Sequence, residues 1–298
     1  MNGFSSYFLP WRHLGLIRQF AGRDVHARYR QSWLGAAWLV LTPLAMLGVY
    51  TVVFRHVMKV RWSGLEEGNL SFALRIYAGL AVFNFFAECV NRAPNLVREQ
   101  PHLVKKVVFP LEILAWINLA SAMVGLMVSM GLLLALSFWD QGGLSLSVLA
   151  LPLVWLPLVP LCLGLGWLLS GIGTYIQDVG QLLGMVLSAL MFLSPIFFPI
   201  EALPQWTQSW MFLNPLALVI TQTREVLLLG VWPNWYALGL ELAFCAGWWH
   251  WWAQRFPLVA QGVCGCCLKL GVPRPAIRSL SREIWARVIA FLSHPVIG

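Results

Sequence analysis

Charge is what this sequence has least of. Only 11% of its 298 residues are Asp, Glu, Lys or Arg, and 59% are hydrophobic, whereas charged residues make up about 25% of a typical soluble domain. No charged residue occurs from Gln141 to Gln177. A water-soluble core needs a charged shell, which this composition does not supply. The shortage excludes a soluble globular protein of this size and indicates segments that cross a bilayer.

Motifs for nucleotide binding and catalysis are also missing. The phosphate-binding loop of ATPases needs a glycine followed by Lys and Ser or Thr, and no glycine here precedes a lysine. The histidines have no metal-ligand spacing, no Gly-x-Ser-x-Gly elbow occurs, and the Cys264, Cys266 and Cys267 cluster lacks a second pair to close a zinc site. We therefore expect no metal ligand, no catalytic residue and no cofactor on this chain.

Long apolar runs are what the sequence does contain. A helix needs about 20 residues to cross about 30 Å of hydrocarbon, because backbone groups in lipid must satisfy one another. Six runs qualify, at approximately 32–54, 72–90, 113–139, 144–176, 179–200 and 235–253. The fourth is too long for an untilted span, and its Pro152, Pro157 and Pro160 predict an irregular start.

A further uncharged segment, 202–223, is long enough to span but carries Pro204, Asn214 and Pro215, which make it a poor lipid-facing helix. We interpret it as a re-entrant hairpin on the outer side between the fifth and sixth spans. A seventh span is the alternative, and it would place the tail outside. The predicted fold is thus all-α and integral to the membrane, with six transmembrane helices.

Positive charge is concentrated on one side of this arrangement. Fifteen of the 20 Lys and Arg lie in the amino-terminal arm, the connection after the second span and the tail. The positive-inside rule then places both termini in the cytoplasm. The chain divides into a cytoplasmic arm at 1–31, a six-helix transmembrane domain at 32–255 and a basic cytoplasmic tail at 256–298 of unassigned structure.

The arm has an amphipathic pattern. Trp11, Leu14, Ile17 and Phe20 recur at near-helical spacing with arginines between them, which predicts a helix lying in the cytoplasmic interface. Anchoring to anionic lipid and docking of a partner both remain open for it.

Four ordered motifs resemble a known family. They are the run from Arg23 to Trp38 with Thr42-Pro43, the segment from Asn95 to Pro110 that includes Leu103-Val104-Lys105-Lys106, the block Ser194-Pro195-Ile196-Phe197-Phe198-Pro199, and Asn214-Pro215 with Arg224-Glu225. Over roughly residues 10 to 255 the chain is similar to type-2 ABC transporter permeases that export O-antigen, teichoic acid or capsule polysaccharides.

This resemblance implies a homodimer bound to two copies of a separate ATP-binding cassette subunit, which would carry ATP and Mg. It also implies a lipid-linked polysaccharide as cargo, contact with membrane lipid, a location in the bacterial cytoplasmic (inner) membrane and no nucleic-acid partner. The residues it implies for coupling to the ATPase subunit are Arg23, Asp24, Arg28, Tyr29, Arg30, Asn95, Leu103, Lys105, Lys106 and Asp178.

Aromatic rings could line the path of a sugar polymer, because they stack on sugar C–H faces without requiring one fixed sequence of sugars. The candidate channel rings are Trp33, Trp38, Tyr50, Tyr77, Phe83, Phe86 and Phe192. Such rings are also common at bilayer interfaces and in helix packing, and that interpretation stays open for each. The candidate outer-gate residues are Pro199, Pro204, Trp206, Asn214, Pro215, Arg224 and Glu225.

Two other functions fit parts of the pattern. A type-2 ABC exporter of a small amphiphile or drug would share the architecture and partner. A membrane glycosyltransferase would need clustered carboxylates or a metal-binding pair at a membrane face, and only Glu66-Glu67 comes close. Glu88, Glu112 and Glu241 lie in or beside spans, where isolated carboxylates are more often paired structural groups than proton relays.

Overall fold

The computed structural model of the chain describes residues 13–29, 33–50, 52–53, 69–99, 112–143, 145–176, 178–198, 200, 211 and 214–269. Within those ranges every regular element is a helix. The α-helices are α1 (Leu14–Tyr29), α2 (Trp38–Tyr50), α3 (Asn69–Arg92), α4 (Glu112–Gln141), α5 (Leu151–Val154), α6 (Leu158–Tyr175), α7 (Val179–Leu193), α8 (Pro215–Arg224) and α9 (Trp235–Lys269).

Three of the helical segments are long and apolar enough to cross a membrane: Leu70–Asn95, Ile113–Asp140 and Leu146–Thr174. They coincide with the second, third and fourth predicted spans. The first and fifth predicted spans coincide with the shorter apolar helices α2 and α7. An α-helical membrane protein is confirmed at this level, and the full count of six spans and the re-entrant hairpin stay predictions.

The fourth span begins irregularly, as its prolines predict. A 3₁₀ turn over Leu146–Ala150 leads into the four-residue α5, and a turn at 155–157 separates α5 from α6. Pro152 lies in the first turn of α5 and Pro157 directly precedes α6, positions where a missing N–H costs no helical hydrogen bond. Pro152 and Pro157 therefore divide the run at positions that remove no helical hydrogen bond.

Both ends of the chain contain helix outside the apolar runs. The amphipathic arm predicted from the sequence is helical as α1, with Ile17 and Ala21 buried and Leu14 and Arg23 exposed. At the other end, α9 continues past the predicted end of the sixth span to Lys269. The boundary drawn between 255 and 256 therefore falls inside a helix.

Helix α3 is the centre of the bundle. It packs against α2, α4, α6, α7 and α8, and 72% of its most apolar stretch is buried, compared with 33% for α4. Phe72, Leu74, Ile76 and Val82 are almost completely enclosed. The arm helix α1 packs mainly against α4, and side chains at the end of α3 join α3 to it.

One close approach of backbones fixes the end of the bundle where α3 and α6 finish, which is named the inner end because the sequence predicts that it faces the cytoplasm. A 3₁₀ turn at Ala93–Asn95 follows α3 and packs against α6. A Cβ atom at Gly173 would lie 2.5 Å from the Cα atom of Pro94. Only glycine lets the end of α6 lie this close to the turn.

We expect Gly173→Ala to lower the free energy of unfolding by about 1–3 kcal/mol, because the Pro94 backbone would have to move. The measurement is the melting temperature of the purified protein in detergent. Gly180→Ala is the matched control, since a Cβ there meets nothing within 4 Å. Equal melting temperatures for the two variants would contradict the packing account.

Candidate functional site

Four alternating charges join the arm to the inner end of α3. Arg92 Nη2 lies 2.7 Å from Asp24 Oδ2, and Arg28 forms an ion pair with Glu88. Arg28 also lies 3.9 Å from Asp24, one turn earlier on α1. These side chains are between 26% and 31% exposed, so each pair alone contributes no more than about 1 kcal/mol. Together they hold α1 in one position against α3.

The ion pairs decide between two interpretations of Glu88. A proton relay would need further carboxylates along a path, whereas Glu88 pairs with Arg28 of the arm. Glu88 is therefore a paired structural group, as isolated carboxylates near span ends usually are.

Other residues predicted to couple to an ATPase lie at the same end. Asn95 ends the 3₁₀ turn that packs on α6 and α7, and Asp178 is exposed directly before α7. Arg23 is exposed on α1, with its guanidinium 4.7 Å from the centre of the Phe20 ring. The structure thus brings five of the predicted coupling residues to one end of the bundle.

The remaining coupling candidates lie outside what the structure describes. They are the side chain of Tyr29 and the whole of Arg30, Leu103, Lys105 and Lys106. Their role stays a prediction.

The predicted channel rings fall into two groups. Tyr77, Phe83 and Phe86 are buried inside the subunit, each 6% exposed or less. The other rings lie nearer the surface: Trp33 is 98% and Phe192 is 61% exposed, and Trp38 is also exposed. If rings line a path, this geometry favours the exposed group.

Tyr50 and Phe192 are brought together by a ring that was not among the channel candidates. The Phe197 ring centre lies 5.8 Å from that of Tyr50 and 5.9 Å from that of Phe192. This aromatic cluster connects the end of α2 with the segment after α7. The Ser194-Pro195-Ile196-Phe197 motif was the available signal for it.

At the outer end of α3, a buried arginine binds three backbone carbonyls. Arg224 is 7% exposed and lies at the end of α8. Its Nε donates to the carbonyl of Arg75 at 2.8 Å, Nη1 donates to that of Pro195 at 2.5 Å, and Nη2 donates to that of Ile196. A guanidinium presents five donors in a planar fork, so one side chain joins α8, α3 and the segment after α7.

The fit around Arg224 also depends on a small residue on α3. A Cβ atom at Gly79 would lie 2.6 Å from Nη2 of Arg224. The absence of a side chain at this position leaves room for the guanidinium to reach the carbonyls of all three partners.

Asn214 and Pro215 begin α8 and fasten it to the same segment. The Asn214 side chain accepts from the Leu216 N–H at 3.0 Å, and its Nδ2 donates to Ser194 Oγ at 3.1 Å. Pro215 occupies the first helical position, where its missing N–H is not needed. The cap therefore positions α8 relative to the end of α7.

Further hydrogen bonds join the outer segment to the start of the fourth span. Trp155 Nε1 donates to Thr223 Oγ1 at 3.2 Å, and Ser147 Oγ donates to the Val226 carbonyl at 2.8 Å. Sequence reasoning missed Ser147 and Trp155, because polar groups inside an apolar run do not reveal distant partners. Glu225 opens the π-helical turn that follows α8.

The other outer-gate candidates, Pro199, Pro204 and Trp206, lie outside the described residues. In the described part of the chain no group of three or more His, Cys, Asp or Glu could hold a metal ion.

Comparison with known families shows which family this chain belongs to. The family model for ABC-2 type transporters matches residues 16–228, a range that begins in the arm and ends in the turn after α8. The chain belongs to the ABC-2 type transporter family. Both sites described above, at the two ends of α3, lie inside the matched range.

Three similar relatives are named for polysaccharide export. The O-antigen export system permease protein of Myxococcus xanthus is 24% identical, and the alignment covers 72% of this chain and 81% of the relative. A polysialic acid transport protein of Escherichia coli is 26% identical, with 75% and 84% covered. A capsule polysaccharide export inner-membrane protein of Neisseria meningitidis serogroup B is 23% identical, with 69% and 78% covered.

We expect Arg92→Gln to loosen the arm, because it removes the cation that pairs with Asp24. A loss of about 1 kcal/mol corresponds to about fivefold more frequent opening of α1. Amide hydrogen exchange over residues 14–29 measures this opening.

Arg98→Gln is the matched control, because Arg98 belongs to the same connection and is exposed. Exchange in α1 that is the same for both variants would show that the ion pair does not hold the arm.

We expect Arg224→Met to lower the melting temperature strongly, because three buried carbonyls lose their donor and each orphaned group costs about 1–3 kcal/mol. Arg224→Lys should have an intermediate effect, since an ammonium keeps the charge but cannot reproduce the fork. If Arg224→Met has the same melting temperature as the wild type, the three hydrogen bonds do not stabilise the fold.

Proposed function

We propose that this chain is the permease subunit of an ATP-driven exporter that moves a lipid-linked polysaccharide across the bacterial cytoplasmic membrane. The observation that carries the proposal is the agreement among relatives. Three of them, matched over 69% to 75% of this chain, bear names of O-antigen, polysialic acid or capsule export. The membership of the ABC-2 family supports an ATP-binding cassette subunit as the source of energy.

The inner end of the bundle is the proposed docking surface for that subunit. The active exporter is a homodimer of this chain with two ATPase subunits, which bind ATP and Mg. Arg23 and Asp178 are exposed there, and Asp24 and Arg28 connect the same surface to α3. A movement of the arm is therefore transmitted to α3 through these ion pairs rather than through a flexible loop.

The orientation follows from charge. The arm, the connection after α3 and the tail carry most of the Lys and Arg, which supports a cytoplasmic location for both termini. The docking surface then faces the compartment that supplies ATP.

The polysaccharide path is proposed to run past the exposed rings. Trp33, Trp38 and Phe192 are exposed on a single copy of the chain, and two copies could place such rings on both sides of one path. Aromatic faces suit a sliding polymer because they contact sugars without fixed hydrogen-bond geometry. The segment held by Arg224 and Asn214 would form the outer gate.

The decisive experiment is purification of the chain with its ATPase subunit in mild detergent, followed by ATPase assays with and without lipid-linked glycan. We expect a stable complex whose ATPase activity rises with glycan. A stable complex that responds only to small amphiphiles would favour the drug-exporter function, and failure to form any complex would contradict the proposal.

A further inference from the structure

An apolar patch lies where α4, the start of the fourth span and the turn after α8 meet. Ser147 Oγ donates to the Val226 carbonyl at 2.8 Å, and Ser145 Oγ donates to the Gly230 carbonyl at 3.5 Å, so the last two segments are joined directly. Helix α4 packs against the same turn. Six large apolar side chains of these segments are between 51% and 85% exposed and form what we name the outer patch: Phe138, Trp139, Leu146, Leu149, Val231 and Trp232.

The inward side of these segments is already packed. Ala150, Leu151 and Val154 at the start of the fourth span are buried, and Leu227 is buried in the turn after α8. The core therefore takes one set of apolar side chains from each segment. The outer patch is a second apolar surface that is directed away from the bundle.

The outer patch is free of charge over most of its length. No charged residue occurs from Gln141 to Gln177 or from Val226 to Leu240, the two stretches that supply four of its six side chains. Contiguous exposed apolar surfaces of this kind mark contacts with a membrane or with another protein rather than with water. The patch therefore needs an apolar neighbour.

Continuity with the surface of α4 favours lipid as that neighbour. Helix α4 is long and apolar enough to cross a membrane, and only 33% of its most apolar stretch is buried, so lipid covers much of its surface. Trp139 and Trp232 are of the residue type that is enriched where hydrocarbon meets headgroups. Asp140, the next residue after Trp139, accepts from Ser71 Oγ at 2.6 Å, which puts a charge at the polar edge of the same region.

We propose that the outer patch is immersed in the membrane, where its side chains contact phospholipids of the outer leaflet. The segment that begins the fourth span then lies in the lipid interface, and the 18 residues of α6, about 27 Å long at the rise of an α-helix, carry the chain across the hydrocarbon. Helix α8 is joined to α3 through Arg224 and to the immersed segment through the Trp155–Thr223 hydrogen bond. The choice of leaflet rests on the proposed orientation of the chain, whereas the contact with lipid depends neither on that orientation nor on the exported substrate.

The test is photo-cross-linking of the full chain in intact membranes. The photoreactive amino acid benzoylphenylalanine replaces one residue at a time, at Leu146, Leu149 or Trp232. On illumination its ketone forms a bond to a neighbouring C–H group, and mass spectrometry of the purified chain identifies what was captured. We expect a mass shift of one phospholipid at each of the three positions.

Two further positions serve as controls. Met127 is 53% exposed near the middle of α4, so the photoreactive group there should capture phospholipid. Trp155 is the matched control, because it belongs to the same segment as Leu149 but is buried, only 6% exposed. The photoreactive group at this position should form cross-links within the chain and give no lipid adduct.

Three results would overturn the proposal. A cross-linked species of twice the chain mass would mean that a second copy covers the outer patch. Cross-links to another protein would mean that a protein partner covers it. Phospholipid adducts at Met127 without any at Leu146, Leu149 and Trp232 would mean that the patch faces water.

Discussion

Helix α3 is bound by an arginine at each end, and the arrangement of the other elements depends on these two contacts. At the inner end Arg92 of α3 pairs with Asp24 of the arm, and Glu88 pairs with Arg28. At the outer end Arg224 donates to the Arg75 carbonyl of α3 and to two carbonyls after α7. Because α3 is also the most enclosed of the long apolar helices, these contacts join both the arm and α8 to the middle of the bundle.

With these contacts at its two ends, α3 is a rigid connection between the two candidate sites. Its 24 residues span about 36 Å at the rise of an α-helix, roughly the thickness of the hydrocarbon core. Partly exposed ion pairs at one end are weak and can re-form in new positions. Buried hydrogen bonds of a guanidinium at the other end are not easily exchanged. The asymmetry suits an arm that responds to a partner and an outer segment that stays joined to α3.

The sequence was most informative about features that depend on residues close to one another in the chain. The apolar runs predicted the three helices that qualify as spans, the prolines predicted the broken start of the fourth, and the spacing of Ile17 and Phe20 predicted the arm helix. Four ordered motifs were enough to indicate the family.

What the sequence could not supply were partners distant along the chain. Arg224 and Arg75 are 149 positions apart, and no spacing rule connects them. Glu88 was recognised as an unusual carboxylate, but its pairing with Arg28 depends on how α1 packs against α4 beside it. The sequence could not show that Tyr77, Phe83 and Phe86 are buried inside the subunit, because aromatic residues have the same composition signal in a channel and in a packed core; their role as channel rings stays a prediction. Their burial is decided by neighbouring helices that the local sequence does not specify.

The measurement that tests this account most directly is the amount of glycan exported per ATP hydrolysed, in proteoliposomes that contain the chain and its ATPase subunit. Wild type is compared with Arg92→Gln, which removes one of the two ion pairs between the arm and α3 without touching the exposed rings. The account predicts that ATP hydrolysis continues while the glycan exported per ATP falls. An unchanged ratio would contradict the role of α3 as the connection between the two sites.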